Sequence, residues 1–372
     1  MNKILYLLPY PGFFKRYNYT GGHVSHFWGI FNALLELGFF VNVLTADSPK
    51  HDQQENDKFI RVKFGSSNII LRQLWIIFYL FQLSKIIKSD KPNFCYLRYS
   101  FGILFWLPFF KLICKDIPVF LEINSIYSNI NHLIRFVEIL HFSKFDRLIV
   151  ISDTLRTELN TFSSNKLASK IKVVNNGVTP SRFENNAIKT PNSIDQCFKI
   201  GYFGILKPDY DIENLISGFI NAQKRQKHLQ LDIYGDGPLV NKIKSLISSN
   251  NNITYKNFIS FENVPSIMIN YQLLCGTASK TTDFQSPIKL FEYMASGVPI
   301  LYADNPQVDK ILNRGQRGTL YSIGNSIDIA EKILYIYHNY NTCYEKALIA
   351  KNHVFDNHSW LSRVKSILKD YL

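Results

Sequence analysis

Short apolar runs bounded by turn residues alternate with helical patterns along almost the whole chain, and no other feature restricts the fold as much. In the first half the strand-like runs are Lys3–Leu8, Phe39–Thr45, Phe59–Phe64, Asn93–Leu97, Val119–Ile123, Arg147–Ile151 and Ile171–Val174. Helical patterns fall between them: from Gly22 to about Leu37, over Asn68–Lys88, Phe101–Cys114 and Ile134–Phe142, and after Ser152 and Asp153, which suit an N-cap. Strands joined through helices cannot pair as hairpins, so they form a parallel sheet covered on both faces. The polar stretch Thr179–Gln196, with Pro180 and Pro191, interrupts the pattern. It restarts at Phe198–Phe203 and continues through strands Leu229–Tyr234, Asn252–Lys256, Leu273–Thr277 and Val298–Tyr302. Helices fall at Ile212–Gln226, Glu262–Asn270 and Ile327–His338, with a last one near Ser359–Leu372. The expected fold class is therefore α/β with two doubly wound, Rossmann-like domains: 1–178, a linker at 179–197, 198–356, and a terminal helix over 357–372.

Composition agrees. A chain of 372 residues with 46% hydrophobic and 19% charged residues is globular and long enough for two domains. Its five cysteines form no CxxC pair and are odd in number, which fits a reducing, cytoplasmic setting better than a disulfide framework. The apolar start stops at Pro9 without a small-residue cleavage site, so it reads as a first strand and not as a leader. The run Ile69–Ile87 contains Arg72, Gln73, Gln82 and Lys85, which argues against a membrane span. Net charge is +13; residues 1–180 hold 21 basic against 12 acidic residues, a surplus of nine. No nucleic-acid motif accompanies that surplus, so the partner it suits is a peripheral, anionic membrane face carrying a lipid-linked substrate.

The stretch Ser286–Ile300 concentrates the chemistry. Pro287 stands where a helix begins, Leu290, Phe291 and Met294 recur at helical spacing, and Gly297 then Pro299 end it. Lys289 and Glu292, three residues apart, are neighbours on its surface, an arrangement that by itself also suits a solvated face. Gly21-Gly22 follows the first strand and opens a helix, which offers bare backbone N–H groups to an anion. Asp209-Tyr210-Asp211 reads as a helix cap rather than a metal site, and His23 and His26 lack a third ligand, so no metal is expected. The loop Phe13–Tyr19 carries Lys15 and Arg16, the expected acceptor or membrane contacts. The apolar helices Asn68–Lys88 and Phe101–Lys115 could meet a membrane or an acceptor lipid, but for most of their apolar residues the expected place is the core of a doubly wound domain.

Ser286-Pro287-Ile288-Lys289-Leu290-Phe291-Glu292-Tyr293 resembles the signature helix of the family 4 retaining glycosyltransferases. Leu97-Arg98-Tyr99, Leu121-Glu122-Ile123-Asn124 and Val173–Val178 resemble one branch of the same family. The resemblance implies the GT-B fold, two Rossmann-like domains facing a central cleft, with the terminal helix crossing back to the first. It implies that Glu292 holds the ribose of a nucleotide sugar and that Gly21, Gly22, Gly204, Lys207, Ser286, Pro287 and Ile288 surround the donor. Glu122, Asn124 and Lys289 are the implied catalytic groups, with Glu122 equally readable as a satisfied polar group at a strand end, and Arg98 is an implied acceptor contact. The chain departs from the family at Phe284, where a second Glu is usual, and at Ile205 and Tyr210, where the diphosphate-binding Arg and Lys are usual; Lys207 and Lys289 are the available replacements. The activity implied is retaining transfer of a hexose to a glycan or lipid-linked acceptor in bacterial surface polysaccharide assembly, at the inner face of the plasma membrane and with no cofactor. The alternatives are a non-catalytic binding protein of this fold and a nucleotide-sugar epimerase.

Overall fold

A computed structural model describes residues 2–14, 22–47, 58–64, 68–128, 130–184, 197–278, 286–369 and 371. The chain divides into two compact units, Met1–Asn175 with Trp360–Leu372, and Asn176–Ser359.

The first unit runs β1 (Lys3–Leu8), α1 (Gly22–Glu36), β2 (Phe40–Thr45), β3 (Phe59–Arg61), α2 (Ile69–Asp90), β4 (Phe94–Arg98), a tight 3-10 turn (Phe101–Trp106), α3 (Leu107–Ile113), β5 (Val119–Ile123), α4 (His132–Phe142), β6 (Arg147–Val150), α5 (Asp153–Phe162) and β7 (Ile171–Val173). Its seven strands are parallel in the order β3-β2-β1-β4-β5-β6-β7. Leu5 pairs with Asn42 on one side and Cys95 on the other, which makes β1 central. All but the first residue of β1, and all of β5, are buried, as sheets covered on both faces require. Connections from β1 run toward one edge and those from β4 toward the other. Right-handed crossovers therefore place α1 on one face and α2 to α5 on the opposite face.

The second unit runs α6 (Ser181–Glu184), β8 (Phe198–Phe203), α7 (Ile212–Arg225), β9 (Leu229–Tyr234), α8 (Val240–Ile247), β10 (Ile253–Tyr255), α9 (Val264–Met268), β11 (Leu273–Gly276), α10 (Ile288–Ser296), β12 (Ile300–Ala303), α11 (Pro306–Ile311), β13 (Thr319–Tyr321), α12 (Ser326–His338) and α13 (Tyr340–Asn357). Its six strands are also parallel, in the order β10-β9-β8-β11-β12-β13. Of the stretch 179–197 expected as linker, 185–196 lie outside the described residues. Ser181–Glu184 forms α6, and its Phe183 joins the core of this unit. Gly297 closes α10 at φ 71°, the left-handed conformation that favours glycine.

The last helix, α14 (Trp360–Leu368), belongs to the first unit and packs on α1. Gly29 makes that contact possible. A Cβ there would lie 2.2 Å from the Trp360 indole, so only glycine leaves room for the ring.

The expectation that α2 and α3 are core helices fails on one side of each. Trp75, Tyr79 and Leu83 face the sheet, but Ile70, Phe78, Phe81, Phe105 and Leu112 are exposed. Apolar content predicts burial only where the other side of the helix meets water.

Candidate active site

Ligands of parallel sheets bind beyond the carboxyl ends of the strands, where the strand order reverses. In the first unit that point lies between β1 and β4, and in the second between β8 and β11.

At the first switch point a cavity of about 250 Å³ is lined by Leu8, Pro9, Tyr10, Phe13, His23, Arg98, Tyr99 and Ser100. Arg98, the last residue of β4, stands over the Phe13 ring at 5.6 Å, and its Nη1 donates to the His23 carbonyl at 3.4 Å. With its amide oxygen turned to the guanidinium, Asn124 accepts from Arg98 Nη2 at 3.1 Å and Nε at 3.3 Å. Tyr99 donates to the buried Glu138 at 2.6 Å, and the Tyr127 N–H donates to the same oxygen at 2.9 Å, which ties the loop after β5 to α4. Gly22 is the first residue of α1. Lys15, Arg16 and Gly21 lie outside the described residues.

Glu122 does not line this cavity. Its carboxylate is fully buried, and one oxygen accepts both from His26 Nε2 at 2.6 Å and from Arg363 Nη2 at 2.7 Å. Arg363, on α14, also donates to the Asn175 carbonyl at 2.6 Å and to that of Val174. Burial alone would raise the Glu122 carboxyl, but the His26, Arg363 and Arg98 groups outweigh it and hold it below the ordinary range. Burial drives His26 the other way, from 6.5 to about 4, so at neutral pH a neutral imidazole donates to an ionised carboxylate. The structure thus makes Glu122 the latch of the terminal helix.

At the second switch point, Gly204 follows β8 and α10 follows β11. A Cβ on Gly204 would meet the Tyr202 hydroxyl at 2.6 Å. Tyr293 pins α10 beneath this point: its hydroxyl accepts from Phe203 N at 3.0 Å and lies 3.0 Å from the Cys275 carbonyl. The helix starts at Ile288 with Pro287 as its N-cap, so Glu292 is its fifth residue. Ser286 Oγ accepts from Asn176 N at 2.9 Å, and Asn176 Nδ2 donates to the Ser286 carbonyl at 2.6 Å. This brings the segment leading into α6 against the start of α10.

There Glu292, 2% exposed, meets two cations. Arg182 Nη1 donates to Oε1 at 3.1 Å and Lys289 Nζ to Oε2 at 2.6 Å. Burial would raise the Glu292 carboxyl; Lys289 and Arg182 outweigh it and keep it ionised. Two positive groups around one negative group leave a local surplus of one positive charge, which suits an anionic ligand. Sequence reasoning missed Arg182. Its signal was Pro180-Ser181, a helix start lying inside an apparent linker. Lys207 pairs with Asp209 at 3.4 Å and stands 4.7 Å over the Tyr210 ring. Asp211 occupies the N-cap position of α7, but its carboxylate accepts from Gly324 N and from the Asn214 side chain in the first turn rather than from a backbone N–H of the helix. Among the described residues no three His, Cys, Asp or Glu side chains group closely enough to hold a metal ion.

Comparison with known proteins agrees with this architecture. The family described as Glycosyltransferase Family 4 matches residues 20–182, and Glycosyl transferases group 1 matches residues 184–353. An alpha-monoglucosyldiacylglycerol synthase from Streptococcus pneumoniae is 23% identical over 188 residues, which cover 47% of this chain but 41% of that protein's length. A sucrose-phosphate synthase from Thermosynechococcus elongatus aligns over 100% of this chain and 98% of its own, at 12% identity and a TM-score of 0.77. HepE from Anabaena, solved in complex with UDP and glucose, aligns over 100% of this chain and 99% of its own, at 16% identity and a TM-score of 0.71. Such likeness establishes the GT-B fold.

Proposed function

The chain belongs to the family 4 glycosyltransferases of GT-B fold, and from that premise we propose that it is a retaining hexosyltransferase using a nucleotide-diphosphate sugar. The observation that carries this reading is the Arg182–Glu292–Lys289 cluster at the switch point of the second sheet. An ionised, buried carboxylate offers strong acceptors to a pair of ribose hydroxyls. The two cations beside it supply charge for a diphosphate. HepE, with its bound UDP, supports a uridine nucleotide as the first donor to test.

In the proposed reaction the bond from the sugar's anomeric carbon to the phosphate oxygen breaks while an acceptor hydroxyl attacks from the same face. The hydroxyl proton passes to the leaving phosphate. Negative charge grows on the diphosphate as the bond lengthens, and Lys289, Arg182 and Lys207 are the groups proposed to neutralise it. We propose metal-independent transfer, with Asp211 a structural group that holds Gly324 N and Asn214 Nδ2 at the start of α7. The acceptor is proposed to enter at the cavity of the first unit, with Arg98 and Asn124 as its polar groups and Glu122 acting through the structure behind them. The proposed acceptor is a glycan or lipid-linked intermediate of surface polysaccharide assembly at the cytoplasmic face of a membrane. The name of the streptococcal relative supports a lipid product.

Incubation with a panel of nucleotide sugars tests the reading, since slow hydrolysis should release nucleoside diphosphate from the true donor. Absence of both hydrolysis and nucleotide binding would overturn it in favour of a non-catalytic protein. A changed sugar nucleotide recovered without acceptor would indicate an epimerase.

A further inference from the structure

Among the described residues 21 large hydrophobic side chains stand exposed, and fourteen of them lie between residues 70 and 140. They follow helical spacing. On α2, Ile70, Leu74, Ile77, Phe78 and Phe81 form an outer stripe opposite the buried Trp75, Tyr79 and Leu83. Phe105, Phe109 and Leu112 continue it across the 3-10 turn and α3, and Leu133, Phe136 and Leu140 do so on α4. These elements are neighbours: Gln73 accepts from Trp106 Nε1 at 2.6 Å, and His141 Nδ1 donates to the Leu104 carbonyl at 2.9 Å. They share the face of the first sheet opposite α1.

A half-exposed Phe or Leu leaves on the order of 100 Å² of apolar surface in water. The eleven on this face together leave on the order of 1,000 Å², more than the few hundred Å² usual for the largest patch on a soluble monomer. Some occupant must cover them, and charge selects which. The only carboxylates on these helices are Asp90, at the end of α2, and Glu138, buried beneath Tyr99. Lys85 and Lys88 are exposed, Arg72 and Arg135 are half-buried, and Lys111 pairs with Asp146 at 2.6 Å. The Lys85 ammonium stands 4.4 Å from the Phe81 ring, so a cation and an inserting aromatic are side by side. A second copy of the same face would bring cation to cation. A bilayer with anionic headgroups meets both requirements, apolar depth below and negative charge above.

We propose that the outer face of α2, α3 and α4 docks on an anionic bilayer, with the phenylalanines in the acyl boundary and the lysines among the headgroups. Although α2 is long and apolar enough to cross a membrane, it is held to the domain. Trp75 Nε1 donates to the Val62 carbonyl at 2.8 Å, and Tyr79 Oη to that of Leu44 at 2.7 Å. The helix therefore lies on the membrane and does not span it. This deepens the lipid-linked acceptor reading by naming the surface that meets the lipid.

The test is flotation of the full chain with vesicles of phosphatidylcholine alone or mixed with phosphatidylglycerol, without donor or acceptor. The wild type should float with the mixed vesicles. Replacing Phe78 and Phe81 by Ser, or Phe105 and Phe109 by Ser, should lower the partition coefficient about 100-fold, at roughly tenfold per phenylalanine kept in water. Replacing Lys85 and Lys88 by Glu should abolish the preference for phosphatidylglycerol. All these positions are exposed, and unchanged circular dichroism melting identifies folded variants. The inference is overturned if the wild type stays with the soluble fraction, if the variants float equally well, or if light scattering shows a dimer that the same substitutions dissociate. Flotation without any transferase activity would leave this inference standing and overturn the functional reading; transfer to a soluble acceptor without flotation would do the reverse.

Discussion

Arg363→Met should loosen the terminal helix of the first unit, and the structure sets the size of the effect. Arg363 is 3% exposed and makes the 2.7 Å contact with the fully buried Glu122. It also serves the carbonyls of Val174 and Asn175. Methionine keeps the length and apolar bulk, so the loss is mainly electrostatic. Removing one member of a buried ion pair leaves the other uncompensated and costs about 3–5 kcal/mol. A second signature separates this cause from poor packing. The Arg363 charge is one of the groups that disfavour protonation of His26, alongside burial. Without it, the imidazolium becomes the carboxylate's counter-ion, and the folded pKa of His26 should rise from about 4. The variant's deficit should therefore shrink as pH falls from 7 toward 5. Urea unfolding followed by tryptophan fluorescence reads this unit alone, because all four tryptophans, Trp28, Trp75, Trp106 and Trp360, lie in it. The double variant Glu122→Gln, Arg363→Met should recover most of the loss. A deficit below about 1 kcal/mol, or a double variant no better than the single, would refute the latch, since an effective buried pair cannot be that weak.

Acid should destabilise both units. His26 in the first and His358 in the second are each held at about 4 against 6.5 by burial, so the unfolded chain binds more protons between those values. Their contribution is present above pH 6.5 and is lost as pH falls toward 4. It amounts to roughly 3 kcal/mol per histidine at most, and thermal melts across that range would show it. Lys289→Ala and Arg182→Ala should each lower turnover more than donor affinity, by about 10²–10³, if they act on charge that develops as the donor bond breaks. Steady-state kinetics of the single and double variants measures this, and near wild-type turnover in the double variant contradicts it. Activity with the true donor should persist in chelator; loss restored by manganese would contradict metal-independent transfer.

Local patterns in the sequence specified every strand but β13 (Thr319–Tyr321), and also the helix bearing Lys289 and Glu292 and its closure at Gly297, because apolar spacing and glycine stops act within a few residues. The helix Tyr340–Asn357 was not legible, since its buried Tyr340, Cys343, Ala347, Ala350 and Val354 are mostly small or polar-tipped and weaken the apolar period. Pairings over long separations were also hidden. Arg182 meets Glu292 across 110 residues, and Glu122 meets Arg363 across 241, distances over which no spacing rule operates. Glu122 was conspicuous as a charge at a strand end, yet only the fold reveals that its carboxylate is buried with one oxygen held by both His26 and Arg363. The apolar faces of α2 and α3 misled for a related reason: hydrophobicity marks a surface that avoids water without naming what covers it.

The central claim is that a nucleotide is held through its ribose by Glu292, and calorimetry on two ligands and two proteins tests it. The ligands are uridine diphosphate and its dideoxyribose analogue, and the proteins are the wild type and Glu292→Gln. Comparing ligands within each protein cancels the gain in phosphate affinity that two uncovered cations would bring. The wild type should prefer the ribose form by tenfold or more, since hydrogen bonds to a charged group contribute about 1.5–3 kcal/mol. The variant should lose most of that preference. An equal preference in both proteins would contradict the assignment.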